Sequence, residues 1–437
     1  MILPTRRAVL AFALVAAVAP FGYADPRVLQ VVALADAALV VLIVLDALGA
    51  VRPDAIGVTR HGPDTFSVGR ESATTYRWHN PAARAARLLV REVRPALLGG
   101  TAAPRAVSLG ARGALRHTAT VRPLRRGQEG GGSFAIRSIG PLGLGMRQGR
   151  RDLPWSVRVY PNIPASRLKA SIAEAVRHRE RGIRAVRHPG EGRQFESLRE
   201  WVWGDDPRHL DWKATVRRGK LMTRLYEEER RQQLMLVVDA GRLVTEAIDG
   251  QPRIEYIVQA ALLLALAAVY HDDDVGVMVF ADTVSHYAPP ARGRRGLRHV
   301  LDALAVVEPA LVEPDYPAAF RYLAVRSRKR ALTVCFTDVI DRFASEALLA
   351  NVAGLRPRHL PLVVTVRNPE LDRLAVDRPG DVSAAYRKAA AEDLLQARRE
   401  ALLEMRRAGA LVLDVDPARA ADAVVATYLD LKRRGRV

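Results

Sequence analysis

The amino-acid sequence predicts a multidomain protein with an N-terminal transmembrane helical hairpin, an antiparallel β-sandwich and a doubly wound α/β domain. Three observations support this prediction. Two apolar runs open the chain, short alternating stretches fill residues 52–161, and strand-like and helix-like segments alternate over residues 233–437. A chain of 437 residues is also too long for one compact core.

Residues 1–51 carry the membrane prediction. Arg6 and Arg7 precede an apolar run over residues 8–24, and a second apolar run covers residues 28–50. As a helix, the second run would be about 34 Å long, which is enough to cross a bilayer. We expect a transmembrane hairpin, with a cleaved signal peptide as the alternative for the first run. Because arginines flank both outer ends, the positive-inside rule predicts a cell-membrane protein with two helices and a cytoplasmic body.

Two aspartates, Asp36 and Asp46, interrupt the second apolar run. A carboxylate inside a bilayer is costly unless it has a partner or reaches the interface. We therefore expect Asp46 to lie near the lipid headgroups and Asp36 to lie in a contact between the two helices.

Composition excludes several kinds of site. The single cysteine, Cys335, excludes an internal disulfide framework and multi-cysteine zinc or iron–sulfur centres. Lysine and arginine number 67 against 47 aspartates and glutamates, which gives a formal net charge of +20. The basic runs at residues 292–298 and 326–330 contain no aromatic side chains, so a nucleic-acid partner is not expected.

Residues 52–161 contain short alternating stretches such as Thr75–Trp78 and Arg87–Val90, separated by turn residues, which is typical of an antiparallel sandwich. The Gly127–Gly132 cluster fits the tip of a hairpin, because no Lys-Ser/Thr pair or helix follows it. Residues 162–232 form a basic connector and a polar segment. For the connector we expect a solvated linker, with contact to anionic lipid headgroups as the alternative.

From residue 233 to residue 437, short apolar runs end in polar side chains. Leu234–Val238 precedes Asp239, and Leu332–Phe336 precedes Thr337 and Asp338. Alternating strands and helices predict a mostly parallel sheet, and ligands bind such sheets at the carboxyl ends of the strands. Carboxylates at neighbouring strand ends are suitable ligands for Mg²⁺. Asp239 also fits a simpler role, in which its carboxylate accepts backbone N–H bonds at a strand–helix turn.

An Asp at the end of the first strand and a Thr-Asp pair at the end of a later one resemble a von Willebrand factor A domain. In that family the first motif is Asp-x-Ser-x-Ser, whereas Gly241 and Leu243 occupy the serine positions here. Asp315 lies near the place of the family's ligating threonine. The resemblance implies a degenerate metal-ion-dependent adhesion site, with Asp239 and Asp338 as the remaining metal ligands. No cofactor is expected, and Mg²⁺ is the metal that such a site would take.

A polar segment upstream is the most specific motif in the chain. Its marked residues are Gly204, Asp205, Arg208, Asp211, Trp212 and Arg217. We expect the two arginines to pair with Asp205 and Asp211, and we expect Trp212 to anchor the segment in an apolar contact. Structural bracing and partner docking are both open roles for this segment.

The same segment closely resembles the bacterial family called domain of unknown function 58. The family pattern is Gly-x-Glu-Phe, Leu-Arg-x-Tyr, Gly-Asp, Arg-x-Ile-Asp-Trp and then Ala-Arg. Trp201, Leu210 and Val216 replace the tyrosine, isoleucine and alanine of that pattern. The resemblance extends over the whole chain, from the two membrane helices to the von Willebrand factor A-like domain.

The resemblance implies a membrane-anchored, non-enzymatic adaptor or scaffold whose α/β domain docks a partner, with a MoxR-type AAA+ ATPase as the expected partner. The expected partner-binding residues are Asp239, Asp315, Thr337, Asp338, Gly204, Asp205, Arg208, Asp211, Trp212 and Arg217. The sequence contains no phosphate loop, no nucleophile elbow and no His-Glu-x-x-His motif.

The alternative is a metal-dependent enzyme that uses Asp239 and Asp338, with His271 and the acidic run Asp272–Asp274. For that run we expect a solvated turn on the side of the sheet away from the strand carboxyl ends. Cys335 lies mid-strand between apolar residues, so we expect a buried, inert thiol rather than a nucleophile.

Overall fold

The computed structural model describes residues 1–23, 25–162, 194–203, 205–227, 232–339, 342–355 and 358–436. The predicted basic connector, over residues 163–193, and Gly204 therefore lie outside the described residues. The chain divides into two compact units, Met1–Asn162 and Ile163–Val437, which are described separately.

The first unit begins with a short strand and two helices. Strand β1 (Ile2–Pro4) is followed by helix α1 (Arg6–Ala16), a 3₁₀ turn (Ala19–Tyr23) and helix α2 (Pro26–Gly49). Helix α2 is apolar and long enough to span a membrane, whereas the 11 residues of α1 are too few to cross one alone. An N-terminal helix with the properties of a membrane span is therefore confirmed.

The carboxyl end of α2 packs on the β-sheet of its own unit. Asp46 is buried and accepts backbone N–H bonds from Leu142, Leu144 and Gly145 at 2.7–2.8 Å. Gly145 permits this approach, because a Cβ there would lie 2.2 Å from the Ile43 carbonyl oxygen. The protein's own backbone therefore solvates this carboxylate, and the position of Asp46 near the headgroups stays a prediction.

Strands β2–β9 form two sheets. The strands are β2 (Gly57–His61), β3 (Thr65–Ser67), β4 (Ser72–His79), β5 (Ala86–Val93), β6 (Arg105–Leu109), β7 (Ala114–Val121), β8 (Gly127–Ile139) and β9 (Gly145–Tyr160). One sheet has the order β1-β9-β8-β5-β6, with β3 parallel to β9, and the other has the order β2-β4-β7. All other pairs are antiparallel.

A buried cluster joins residues of both sheets, including Tyr76, Trp78 and Phe134, whose rings make edge-to-face contacts. The expected hairpin tip at Gly127–Gly132 is wrong. These glycines lie in β8 and pair with β9, with a register shift at Gly131/Ser133, and Gly131 and Gly132 have positive φ. They therefore form an irregular stretch of β8, and glycine adopts its positive φ angles without steric strain.

The second unit opens with a small antiparallel hairpin. Strands β10 (Gln194–Glu200) and β11 (Met222–Glu227) pair with each other, and helix α3 (Trp212–Arg218) lies in the connection between them. Asp211 caps α3 by accepting a bond from the Ala214 N–H at 3.0 Å, and Gly219 ends the helix with a positive φ.

The rest of the unit is an α/β sheet with the order β16-β15-β12-β17-β18-β19. The strands are β12 (Gln233–Asp239), β13 (Ala247–Ile248), β14 (Gln251–Pro252), β15 (Asp274–Phe280), β16 (Val284–Arg292), β17 (Ala331–Phe336), β18 (Leu360–Val366) and β19 (Leu411–Val415); β13 and β14 form a separate small hairpin. Neighbouring strands of the sheet are parallel except for the edge strand β16.

Helices cover both faces of this sheet. They are α4 (Arg253–Tyr270), α5 (Gly293–Val306), α6 (Tyr316–Arg326), α7 (Arg342–Leu355), α8 (Pro369–Val376), α9 (Val382–Arg407) and α10 (Ala420–Arg433). Side chains of α4, α5 and α10 form the core on one face, and those of α6, α7 and α9 form it on the other. Strands buried on both faces need continuous apolar runs, which is why the sequence identified them. Helix α4 also passes the composition test for a membrane span, but it is a mostly buried core helix.

The acidic run before β15 differs from expectation. Asp273 is buried and accepts hydrogen bonds from Tyr428 at 2.5 Å and from Lys432 at 2.6 Å. The prediction of a solvated turn is wrong for this residue. Asp273 instead fixes helix α10 against the amino end of β15, on the side away from the strand carboxyl ends.

Candidate functional site

The predicted strand-end residues converge at the carboxyl edge of the sheet. Asp239 is the last residue of β12, and Thr337 and Asp338 directly follow the neighbouring strand β17. All three side chains are buried. The accessible surface at this edge is therefore formed by the loops that follow the strands, rather than by these three side chains.

Asp239 is bound by three donors. Its carboxylate accepts bonds from the Thr337 hydroxyl at 2.6 Å, the Tyr316 hydroxyl at 2.8 Å and the Gly241 N–H at 2.8 Å. Burial raises the pKa of Asp239, and the three hydrogen bonds oppose that shift. The expected role of Asp239 as an acceptor of backbone N–H bonds is present, together with two hydroxyl donors.

Asp338 is bound by two arginines. Arg253, at the start of α4, and Arg398, in α9, each donate to one of its carboxylate oxygens, Arg398 at 2.6 Å. Arg253 also pairs with Glu246, and Arg398 also pairs with Asp414 at 3.0 Å. Burial lowers the pKa of Arg398, but the two carboxylates outweigh burial and the pKa is raised. Both arginines are buried, so two positive charges balance the negative charge of Asp338 inside the protein.

Sequence reasoning missed the partners of these aspartates. Arg253 and Arg398 lie 85 and 60 residues from Asp338, and Tyr316 lies 77 residues from Asp239. Arg253 follows Pro252 at the start of an apolar helix, which was the one available signal, because a charge there is buried only with a partner.

The loops around these buried groups are exposed. Asp315 caps α6 by accepting a bond from the Ala318 N–H at 2.8 Å, and its side chain is exposed. Arg242 and Glu313 form an ion pair across the same loops, and Leu311, two residues before Glu313, is 84% exposed. Backbone bonds from Ala310 to Ala240 and from Arg242 to Val312 hold the loops together.

A cavity of about 290 Å³ opens beside this cluster. Its walls combine the arginines and carboxylates with apolar side chains, namely Leu243, Val339, Leu371, Leu394 and Leu395. Cys335 lies in β17 and is buried, and burial raises the pKa of its thiol. A protonated, enclosed thiol of this kind is unreactive.

The upstream polar segment forms different pairs from those expected. Asp205 accepts from Arg199 at 2.6 Å, and Arg208 pairs with Asp206 at 2.8 Å. Asp211 caps α3 by accepting from the Ala214 N–H. The pairing prediction for Asp205 is therefore wrong.

Trp212 and Arg217 both lie on α3 and are exposed. Trp212 is 66% exposed, so the expected apolar anchor is also wrong. Composition revealed that this short helix is aromatic and basic, but it could not show which side faces solvent.

Part of the chain matches a known family. Residues 197–387 match the family described as protein of unknown function DUF58. The predicted resemblance to this family is confirmed over these residues, which include the polar segment from Asp205 to Arg217 and the strand-end residues Asp239 and Asp338. No curated protein matches the chain.

Solved structures show limited similarity. The CARDB domain of the PF1109 protein from Pyrococcus furiosus, in complex with di-metal ions, is 16% identical over 24% of this chain and 86% of that chain, with a TM-score of 0.18. E. coli alpha-2-macroglobulin is 19% identical over 25% of this chain and 7% of that chain, with a TM-score of 0.19. The C-terminal domain of wzt is 10% identical over 26% of this chain and 83% of that chain, with a TM-score of 0.18.

Because the pKa of Asp239 is raised, we expect the free energy of unfolding to depend on pH through this residue. In the unfolded chain this carboxyl group titrates near its ordinary value of 3.8. Because the folded state holds the proton more tightly, the contribution of this group to wild-type stability falls as the pH rises from that value through the raised folded pKa. Asparagine at position 239 does not titrate. We therefore expect the free energy of unfolding of Asp239→Asn, relative to wild type, to increase with pH in this interval.

The measurement is guanidinium denaturation of both proteins at a series of pH values from about 4 to about 8. A difference in stability that stays constant over the whole series would contradict the assignment.

Proposed function

We propose that this chain is a membrane-anchored, non-enzymatic adaptor whose α/β unit, similar to a von Willebrand factor A domain, docks a second protein at the carboxyl ends of its strands. The observation that supports this most is the internal neutralisation of the strand-end charges. Asp338 is bound by two arginines, and Asp239 is bound by two hydroxyl groups and a backbone N–H. A catalytic carboxylate needs an open position for its substrate, whereas a rigid scaffold for exposed loops does not.

The alternative, a metal-dependent enzyme, fits these residues poorly. Mg²⁺ requires several oxygen ligands in near-octahedral geometry. Gly241 and Leu243 supply no side-chain oxygen, Asp315 caps α6, and both oxygens of Asp338 face guanidinium groups. Two arginines beside Asp338 would also repel a divalent cation. We therefore favour the adaptor over the enzyme.

The membrane part of the proposal is a two-segment hairpin with the body in the cytoplasm. Two features support it. Strand β1 pairs with β9, and Asp46 binds the turn before β9, so both ends of the apolar region return to the same sheet. The apolar side chains of α2, such as Leu34, Val41 and Leu45, are largely exposed, as lipid-facing side chains would be.

We propose a MoxR-type AAA+ ATPase as the docked partner, on the basis of the family resemblance. The docking surface comprises the strand-end loops, where the exposed Leu311, two residues before Glu313, offers an apolar anchor. Central apolar anchors carry much of the binding energy in protein interfaces.

The test is capture of the purified ATPase by the full-length chain in detergent. We expect Leu311→Glu to weaken capture by at least about tenfold, since the interface would then bury an unpaired charge. Its thermal unfolding should match wild type, because exposed substitutions rarely change stability by more than about 0.5 kcal/mol.

The matched control is Val325→Glu, in the last turn of α6, where the valine is 67% exposed. If both variants capture the ATPase like wild type, the strand-end loops are not the docking surface.

A further inference from the structure

The hairpin of strands β10 and β11, with helix α3 in its connection, exposes apolar and basic side chains together. Trp203 is 93% exposed and Val216 is 83% exposed, and Trp212 stands one helical turn before Val216 on α3. Lys213 and Arg217 have the same four-residue spacing, so a basic stripe runs beside the apolar stripe of α3. We call these five residues the aromatic-basic surface.

The cations of this surface have no ion-pair partner within the described part of the chain. The neighbouring charges are paired among themselves, Arg199 with Asp205, Arg208 with Asp206 and Lys220 with Glu200. Helix α3 itself carries no acidic residue. The surface is therefore complementary to an extended anionic partner that also accepts indole rings.

We propose that the aromatic-basic surface contacts the headgroup region of an anionic lipid bilayer. Tryptophan rings favour the boundary between headgroups and acyl chains, and lysine and arginine are attracted to anionic lipid. The proposal goes beyond the adaptor function and is independent of strand-end docking. It leaves the strand-end loops to the protein partner and assigns Trp212 and Arg217 to lipid.

The chain itself brings a bilayer within reach. Helix α2 is a candidate membrane span with exposed apolar side chains, so a bilayer is the partner that suits this helix. Because both units belong to one chain, a bilayer that holds α2 also tethers the second unit.

The experiment uses the full-length chain reconstituted into phosphatidylcholine vesicles, with or without about 30% phosphatidylglycerol, and with dibrominated phosphatidylcholine as the fluorescence quencher. Of the other three tryptophans, Trp78 and Trp155 are buried and Trp201 is half-buried, and these three form the background that the double variant retains. We expect tryptophan emission to be quenched only in the vesicles that contain phosphatidylglycerol. The double variant Trp203→Phe/Trp212→Phe should lose this quenched component.

Charge reversal tests the basic stripe. Each basic side chain near an anionic membrane raises the equilibrium constant for membrane contact by roughly fivefold. The variant Lys213→Glu/Arg217→Glu should therefore lower this constant by at least about 25-fold. The matched control, Arg399→Glu/Arg406→Glu, reverses two exposed cations on α9 and should quench like wild type.

Three results would overturn the proposal. One is equal quenching with and without phosphatidylglycerol, and another is a quenched component that survives in the double tryptophan variant. The third is a charge reversal that abolishes capture of the ATPase but leaves lipid quenching unchanged, which would assign the surface to the protein partner.

Discussion

Asp338→Ala is expected to lower the free energy of unfolding by about 3–5 kcal/mol, the usual cost of breaking a buried ion pair by removing one partner. The substitution removes the carboxylate shared by Arg253 and Arg398, both of which are buried. Glu246 and Asp414 would remain as their partners, but neither accepts the bonds that Asp338 receives. The measurement is guanidinium denaturation of the full-length chain, followed by amide exchange in β12 and β17.

The control for this prediction is Asp315→Ala, on the same edge of the sheet. Asp315 is exposed and caps α6, so its loss should cost only about 1 kcal/mol. Equal losses in the two variants would show that the arginines do not depend on Asp338, and the scaffold role of the strand-end cluster would fail.

The second large effect is expected from Asp46→Ala in helix α2. This substitution removes the acceptor of three backbone N–H groups, of which that of Gly145 is buried and those of Leu142 and Leu144 are partly buried. An unsatisfied buried donor costs about 1–3 kcal/mol and a partly buried one costs less, so we expect a loss of about 3 kcal/mol. Thermal unfolding of the full-length chain in detergent is the measurement.

Asp36→Ala is the matched control, because it removes the same kind of side chain from the same helix. Among the described residues, one carboxylate oxygen of Asp36 is buried without a hydrogen-bond partner. Its removal should therefore leave stability unchanged or increase it. A loss as large as that of Asp46→Ala would mean that the effect comes from the helix rather than from the turn before β9.

The elements that the sequence predicted well are those with a strong local pattern. The apolar runs Leu234–Val238 and Leu332–Phe336 are buried on both faces of the sheet, so their composition alone identified them as parallel strands. Strand direction then placed Asp239, Thr337 and Asp338 at one edge.

What the sequence could not provide was the set of long-range partners. Arg253 and Arg398 come from helices on opposite faces of the sheet, and no local spacing connects them to Asp338. The same limit applies to Asp46 and Asp273. Both were expected at exposed or interfacial positions, and both are buried by partners about 100 and 155 residues away.

The surface of the polar segment shows a different limit. Its residue types predicted a compact, salt-bridged motif, and salt bridges formed, but with partners other than those expected. Trp212 was expected to make an apolar contact, whereas it is exposed. A short helix carries too few residues for hydrophobic periodicity to distinguish its inner side from its outer side.

The most direct test of the adaptor account is hydrogen–deuterium exchange of the full-length chain, alone and with the purified MoxR-type ATPase, with and without nucleotide. The account predicts slower exchange in residues 240–246 and 308–315, the strand-end loops, in at least one nucleotide state. Binding of the ATPase without any slowing in these loops, or no binding in either nucleotide state, would contradict it.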